Sequence, residues 1–580
     1  MSSALALVWS ILIPVLTAGI VLLIGSENRR LVRRVALGGS LLSLLLAAHV
    51  VWHFDATGDA YFRDQLQAAA SGSEQAAPDA TQAAYAVSDF KWIPETTGLD
   101  IRFSLGLDGL SLWMYGLSAV LMITAILVSW EAIERRAALF YAMLLLLEAG
   151  CLGVFAARDV VLFYIFFEFT LIPLFFLIGI WGSEDRRYAA VKFFLYTLAG
   201  SLLTFLGLLT LVIWNARSSG SSVLHCSIAE LTWGLARHPL PYAWQIWVFM
   251  ALFAGFAIKV PLFPLHTWLP LAHVQAPTAG SVILAGVLLK IGTYGFLRFS
   301  MPMLPEATAA SMPCIFWLSV AGIVYGALVA LVQTDIKRLI AYSSVSHLGF
   351  CMLGLFALNP LGVHGAALQM VNHGISTGGL FAIVGMMYER YHTREIANLG
   401  GLARRLPVMA FFMLLFTFSS IGLPGLNGFA GEILILVGAF QRAWLAAVGG
   451  SWWLRVAAVL SVSGVVLGAW YMLWLVQRVF FGPLREPAHE GPQGHHGHGH
   501  HGQGVPDLRT REILALVPLA VLAVWIGLYP QFFLQRMTVG LEAATGAAAQ
   551  ARLVEEQGPA AVAAVAPRIP GEQESAQRGY

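Results

Sequence analysis

Charge is what this sequence has least of. Asp, Glu, Lys and Arg make up 11% of its 580 residues, where soluble domains carry roughly 25%, and so sparse a supply cannot cover an ordinary water-facing surface. Cysteine is equally thin. Cys151, Cys226, Cys314 and Cys351 stand apart without CxxC spacing, which argues against both a disulfide framework and a metal cluster. No dinucleotide fingerprint sits between a strand and a helix, and no GxxxxGK[ST] phosphate loop occurs, so neither nucleotide nor iron–sulphur cluster is expected on this chain. The N-terminal run Leu5–Ile24 lacks a basic leader and is long enough to span a bilayer, which reads as a retained helix and not a cleaved signal.

What fills the sequence instead is apolar: 58% of residues are hydrophobic and the mean hydropathy is +0.73. Runs near 20 residues, broken by short polar loops, suit helices crossing a core about 30 Å thick and not the alternating segments of a barrel. The expectation is an all-α polytopic membrane protein of about 14 spans: 3–24, 35–54, 108–129, 138–157, 160–181, 191–213, 245–270, 277–298, 313–333, 343–358, 363–388, 406–440, 454–480 and 512–531. Arg29, Arg30, Arg33, Arg34, Arg135, Arg136, Arg186, Arg187, Lys337, Arg338, Arg404 and Arg405 then share one side, and the positive-inside rule makes that side cytoplasmic, with both termini outside. Of the outer loops, 55–107 ends in an alternating segment suited to a short hairpin or a half-buried cover, after a flexible middle around AAASGSEQAAPDATQAA, and 214–244 carries little signal. The Gly/His tract GPQGHHGHGHHGQG in 482–511 reads as a flexible insertion, its glycine spacing fixing no ligand geometry, with weak capture of a divalent metal as the alternative. The tail beyond Gly540 suggests a surface helix ending in disorder.

The chain is organised around ALFAGFAIKVPLFPLHTWLPLAHVQAPTAGSVILAGVLLKIGTYGFLRFS (251–300). Pro261, Pro264 and Pro270 forbid a continuous helix, predicting a break just after Lys259 and then a more regular helix carrying Lys290. Lysines inside apolar spans are expensive and belong in a protein interior or a wet cavity. A second break is predicted at SSIGLPGLNGFAGE, again in the fourth helix of a five-helix set. Breaks at matching positions point to two inverted repeats, 138–298 and 313–480, with helices 1–3 and the outer loop in 1–137, an inner loop at 481–511, and the last helix and tail in 512–580.

Other titratable groups line up with these lysines. Glu168 lies mid-span in VLFYIFFEFTLIPLFFLIGI, and Lys259 is its expected partner in a pair that trades protons; the plainer alternative is a structural ion pair. Lys290 sits too deep for snorkelling to be the preferred reading. Glu432 follows the second break, either capping the half-helix or carrying a proton. His347 and His373 sit among Ser, Asn and Gly and suit relay as well as simple packing. His266 and His273 flank the first break and Lys192 offers an inlet, whereas Lys337 and Arg338 read as topology determinants. A sugar or amino-acid carrier needs a substrate-sized cavity with its own donors, and no such set is apparent. A proton needs only this row.

At these residues the sequence resembles a known family. FYIFFEFTLIPLFFLIGIWG (163–182), YAAVKFFLYTLAGS (188–201), FAIKVPLFPLHTWLPLAHVQAPTAGSVILAGVLLKIGTYG (256–295), QTDIKRLIAYSSVSHLGF (333–350), VNHGISTGG (371–379), GLPGLNGFAGE (422–432) and REILALVPLAVLAVWIGLYP (511–530) are similar to the antiporter-like membrane subunits of respiratory complex I, the proton-translocating NADH:quinone oxidoreductase. By motif, Glu168 resembles the family's essential glutamate, Lys259 its broken-helix lysine and Lys290 its central lysine. Glu432 matches an exit-side position that is glutamate in the M branch and lysine in the sister subunits L and N. The chain departs from the family at LPLAH, where Leu271 replaces the usual aspartate, so no role at that position carries over.

The resemblance implies a translocase subunit of a bacterial plasma membrane, partnered by L and N and driven by quinone reduction elsewhere. It implies no cofactor and no metal on this chain, with NADH, FMN, iron–sulphur clusters and quinone held by partner subunits. The alternatives are a subunit of a multi-subunit sodium/proton antiporter or membrane-bound hydrogenase, or a membrane scaffold with inert charges.

Overall fold

In a computed structural model the chain is described over residues 2–72, 77–93, 95–444, 452–487 and 505–557. The His-rich tract and the end of the tail lie outside these residues. The first helices are α1 (Ser3–Ile24) and α2 (Arg29–Trp52). Their starts are capped: the Ser2 hydroxyl accepts from the Leu5 amide and the Asn28 amide oxygen from that of Leu31, filling donors a helix leaves open. A long connection follows, with α3 (Thr57–Ala70) and strands β1 (Tyr85–Ile93) and β2 (Leu99–Leu107). The expected hairpin is present, antiparallel with Asp89 opposite Ser104 and Phe90 opposite Phe103. Running up to the start of the stretch expected to be flexible (68–84), α3 packs on the C-terminal helix and buries Asp59 and Ala69; residues 73–76 of that stretch lie outside the described residues.

Next come α4 (Leu112–Val128), α5 (Ala137–Ala156), α6 (Val160–Phe169) and α7 (Leu171–Trp181). The last two form one span interrupted at Thr170, ahead of Pro173. After α8 (Arg186–Ser219), the connecting loop holds a short strand β3 (Leu224–His225) and α9 (Ile228–Arg237). α10 (Tyr242–Lys259) stops at Lys259 and the chain restarts as α11 (Trp268–Gln275), as the prolines require.

α12 (Thr278–Met303) corrects one expectation. It is irregular, with π-helical turns at Leu284–Leu288 and Phe296–Ser300 on either side of Lys290. Neither turn contains a proline or a polar run that would have signalled it. Such turns are rare and gather at functional sites.

The remainder comprises α13 (Pro305–Leu331), α14 (Ile336–Leu355), α15 (Pro360–Tyr391), α16 (Pro407–Ser420), α17 (Asn427–Trp444), α18 (Trp452–Phe480), α19 (Thr510–Leu528) and α20 (Gln531–Gln557). Between α16 and α17 the second predicted break contains Gly422 and Gly425 at φ 72° and 93°, values that favour glycine. Eleven helices among the described residues are long and apolar enough to cross a membrane. The other expected spans are helices too, but shorter or more polar: α4, α14 and the broken pair α16/α17. The count of fourteen therefore remains an expectation.

α12 and α15 form the centre, with their most apolar windows wholly buried, whereas those of α1, α2, α18 and α19 leave most residues facing outward. The two buried helices carry Lys290 and His373.

Candidate functional site

The centre of the bundle holds a connected polar chain. Lys290, fully buried, donates from Nζ to the carbonyl of Ala285 in the first π turn and lies 2.6 Å from Nδ1 of His373. The His373 ring is 5.6 Å, centroid to centroid, from His347. His347 Nδ1 is 3.1 Å from Oε1 of Glu432, and its Nε2 is 3.1 Å from the Ser420 hydroxyl at the end of α16. Four of the predicted residues, on α12, α14, α15 and α17, thus form one row. All four are buried.

Neighbouring amides fix the acidic end. Gln369 donates to Glu432 Oε1 at 3.1 Å and accepts from Asn372, which also donates to the carbonyl of Asn427 at the start of α17. Glu432 lies beyond the first turn of α17, which holds no acid, so a capping role does not describe it. Gln369 was missed in the sequence, although an amide one turn before His373 inside an apolar run was the available signal.

The other half is arranged differently. Lys259 is buried at the end of α10 with no hydrogen-bond acceptor for Nζ, which sits 4.2 Å from the centroid of the Phe167 ring. Glu168, the next residue on α6, is half-buried, and its Oε1 has no donor. Each lies within electrostatic range of the other, but no ion pair within 4 Å joins them among the described residues. The expected direct pair is therefore a near neighbour across a gap.

His266 and His273 lie where the break was expected to place them. His266 is buried between Phe263 and Tyr325, and its Nδ1 has no partner. His273 is stacked on Phe381 at 4.5 Å, with both ring nitrogens unpartnered. Lys192 is half-buried on α8 and no hydrogen bond connects it to the row. Lys337 is more than a topology marker: it is buried, and its Nζ donates to the carbonyl of Ala276 at 2.5 Å. It lines a cavity of about 460 Å³ together with Glu131, Ser183, Glu389, His392 and Arg394, on the side of the arginine-rich loops.

Two further buried groups escaped the sequence reading. Glu148 on α5 is fully buried, accepts from the Ser40 hydroxyl at 3.0 Å and leaves Oε2 without a donor. The signal was a lone carboxylate in AMLLLLEAGCLG, the same as for Glu168. Near the β-hairpin, Asp108 is held at 2.6 Å by both Arg158 and Arg298, and Arg298 also donates to the Tyr294 hydroxyl. Asp59 on α3 accepts from the Gly109 amide beside them. Burial first, and then the charge of Asp108, raise the Asp59 carboxyl to about 7.

A broken-helix bundle with lysines and an acid strung across its middle defines a class of ion-translocating membrane subunit. The profile of the NADH:quinone oxidoreductase/Mrp antiporter transmembrane family matches residues 157–460. The chain is 43% identical over 450 residues to NADH-quinone oxidoreductase subunit M of Rhodobacter capsulatus, covering 77% of this chain and 81% of that one. Within the structure of respiratory complex I from Thermus thermophilus with bound NADH, one chain is similar with a TM-score of 0.75 and 32% identity, over 93% of this chain and 99% of that one. The chain belongs to the NADH-quinone oxidoreductase subunit M family. A chain of the Mrp complex from Dietzia shares the fold, with a TM-score of 0.73 over 99% of this chain and 58% of that one, but at 22% identity it supports nothing further.

Proposed function

We propose that this chain is the proton-translocating membrane subunit of an NADH:quinone oxidoreductase. Protons move through Lys290, His373, His347 and Glu432, and the Glu168–Lys259 gap acts as the switch. The observation that carries the reading is the row itself: Lys290 contacts His373 at 2.6 Å, His347 contacts Glu432 at 3.1 Å, and the two imidazoles stand 5.6 Å apart, centroid to centroid, between them. Each step is short enough for transfer directly or through one bridging group. In the first half, Lys259 and Glu168 each have an orphaned polar atom. A buried charge without its partner costs several kcal/mol, so a pulse that brings the two together or apart changes the proton affinity of both.

Supply from the inner side runs through the Lys337 cavity towards His273, whose unpartnered nitrogens lie within electrostatic range of both Lys337 and Lys290. His266 and Lys192 are further candidates on that side.

Half-exposed Glu168 shares its surface with Ile165, Ile172 and Phe176, each at least 40% exposed. An ionisable group facing lipid is expensive, so this face is assigned to a neighbouring membrane subunit, one of the L and N class. NADH, FMN, iron–sulphur clusters and quinone belong to other subunits in this reading. The membrane is the bacterial plasma membrane, with both termini on its outer side.

The test is NADH-driven, uncoupler-sensitive proton uptake by inverted vesicles, comparing wild type with Glu168→Gln at matched assembly. Loss of uptake is expected. An unchanged proton-to-electron ratio in the variant would return the row to a structural role, and absence of NADH-driven pumping in wild type would favour an antiporter or hydrogenase complex.

A further inference from the structure

Away from the proton row, the outer loops bring together Asp100, His225 and Glu230, with one ligand atom from each within 4.8 Å of the others. Three elements build this cluster. β2 and β3 pair in parallel with Asp100 in register with His225, which sets those side chains side by side. Glu230 stands three residues after Ser227, the N-cap of α9. In a capping box that glutamate would turn back to the cap amide; here its Oε2 instead lies 3.6 Å from His225 Nδ1.

We propose that Asp100 Oδ2, His225 Nδ1 and Glu230 Oε2 form a binding site for a divalent transition-metal cation of the zinc class, open to the outer aqueous face. Distance carries the argument first. Zinc takes nitrogen and carboxylate ligands at about 2.0–2.2 Å in tetrahedral array, which sets ligand atoms about 3.3–3.6 Å apart. The structure has His225 Nδ1 at 3.1 Å from Asp100 Oδ2 and 3.6 Å from Glu230 Oε2. Those two distances match zinc geometry to within tenths of an ångström, and all three ligand atoms lie within 4.8 Å of one another, so Asp100 and Glu230 have at most about 1.5 Å to close on a bound ion.

Charge is the second, independent support. Asp89, Asp100 and Glu230 surround a single guanidinium, that of Arg102, leaving two negative charges uncompensated when His225 is neutral. One oxygen of Asp89, Oδ1, is buried with no donor at all. Arg102 donates from Nε and Nη2 to Asp100 Oδ2 itself, at 3.1 and 2.8 Å, so a bound ion shares that oxygen with the guanidinium, which then serves as the outer partner that orients the ligating carboxylate.

His225 and Glu230 remain 31% and 21% exposed, which gives the ion a route in and leaves a coordination position for water. The Arg102 amide donates to Asp159, the N-cap of α6, so a bound ion would clamp the outer end of the helix that carries Glu168.

The assay is zinc per complex after equilibrium dialysis of the purified whole complex against buffered free Zn²⁺. The background carries serine at His495, His496, His498, His500 and His501, which removes the competing tract. His225→Gln is expected to lower the stoichiometry by one ion per complex, or the apparent affinity at least tenfold. Glu230→Gln, an isosteric change at a half-exposed position, should do the same and guards against a folding defect in the first variant. Equal zinc content and affinity in the background and both variants overturns the proposal. Loss in both variants with NADH oxidation unchanged in zinc-free buffer upholds it, and this readout is independent of whether the proton row works as proposed.

Discussion

Replacing Lys290 by arginine separates the charge of that residue from its ability to release a proton. Lys290→Arg keeps a cation opposite His373 Nδ1, now 2.6 Å from Nζ, and keeps a donor for the Ala285 carbonyl. Free lysine and arginine differ by about 2–3 pH units in proton affinity, each unit being about 1.4 kcal/mol. The same burial acts on both side chains, so to first order it cancels, and release from arginine becomes harder by about 3–5 kcal/mol. A hand-off that must occur on every cycle then slows by about a hundred- to a thousandfold.

The assay is the initial rate of proton uptake per NADH oxidised in inverted vesicles, with uncoupled NADH oxidation and native-gel assembly measured alongside. A residue that serves only as a fixed charge would give Lys290→Arg the wild-type ratio and Lys290→Met a loss. A relay residue gives a loss in both. Pumping by Lys290→Arg at the wild-type ratio would refute the relay assignment, whatever the methionine variant does.

Two further outcomes test the supporting structure. Gly292 sits where α12 meets the end of α10, and a Cβ there would lie 2.5 Å from the Phe256 carbonyl oxygen and 2.8 Å from the Val260 amide nitrogen. Those are backbone atoms that cannot rotate aside, and overpacking costs about 1–3 kcal/mol. Gly292→Ala should lower assembled complex on native gels and reduce pumping per electron, whereas Gly38→Ala, with open space around it, should match wild type. Asp59 makes the docking of α3 depend on pH. With its carboxyl raised from 3.8 to about 7, the native state binds more protons than the opened state between those values, so docking weakens as pH rises through that window and levels off above it. The protection factors of α3 amides in hydrogen exchange should fall by up to about tenfold per pH unit between pH 5 and 7 and then flatten. Asp59→Asn should be flat throughout; a slope equal to wild type would contradict the assignment.

The sequence made visible what composition and proline placement control. Helices followed from apolar run length, and the stop at Lys259 followed from Pro261 and Pro264. The hairpin followed from alternation over 90–109. The row was legible because a charge in an apolar run is costly wherever it faces, so Lys290, Lys259, Glu168 and Glu432 each announced themselves. What stayed hidden depends on contacts between distant segments. Whether Glu168 touches Lys259 is a matter of ångströms set by the packing of α6 on α10. Lys337 reads as a loop charge until α11 is seen to present the Ala276 carbonyl to it. The π turns around Lys290 arise in a helix buried on every side, where tertiary packing overrides local preference. Glu148 is a different case: its signal was as plain as that of Glu168, and only its isolation from the row distinguishes the two.

The two halves are built with opposite economy, and this bears on where energy enters. In the second half Glu432 is fixed by His347 and Gln369 at 3.1 Å each, and Lys290 by His373 and the Ala285 carbonyl, while His373 Nε2 and Asn372 Oδ1 are the unpartnered buried atoms among these described residues. Such a network is rigid, since displacing one member strands the others at about 1–3 kcal/mol per buried group. In the first half, Lys259 Nζ, Glu168 Oε1 and both nitrogens of His273 are stranded already. A drive of a few kcal/mol therefore has more to gain by rearranging the first half, where partners can be acquired, than the second, where they would be lost. Glu168 is also the member of the row that reaches the surface. The arrangement predicts an order: the pulse acts from the neighbouring subunit on Glu168, Lys259 responds, and the fixed chain from Lys290 to Glu432 conducts. Substitutions at the Glu168 face should therefore alter how strongly pumping is coupled to electron transfer, whereas substitutions at Gln369 or His347 should slow proton passage without changing what triggers it.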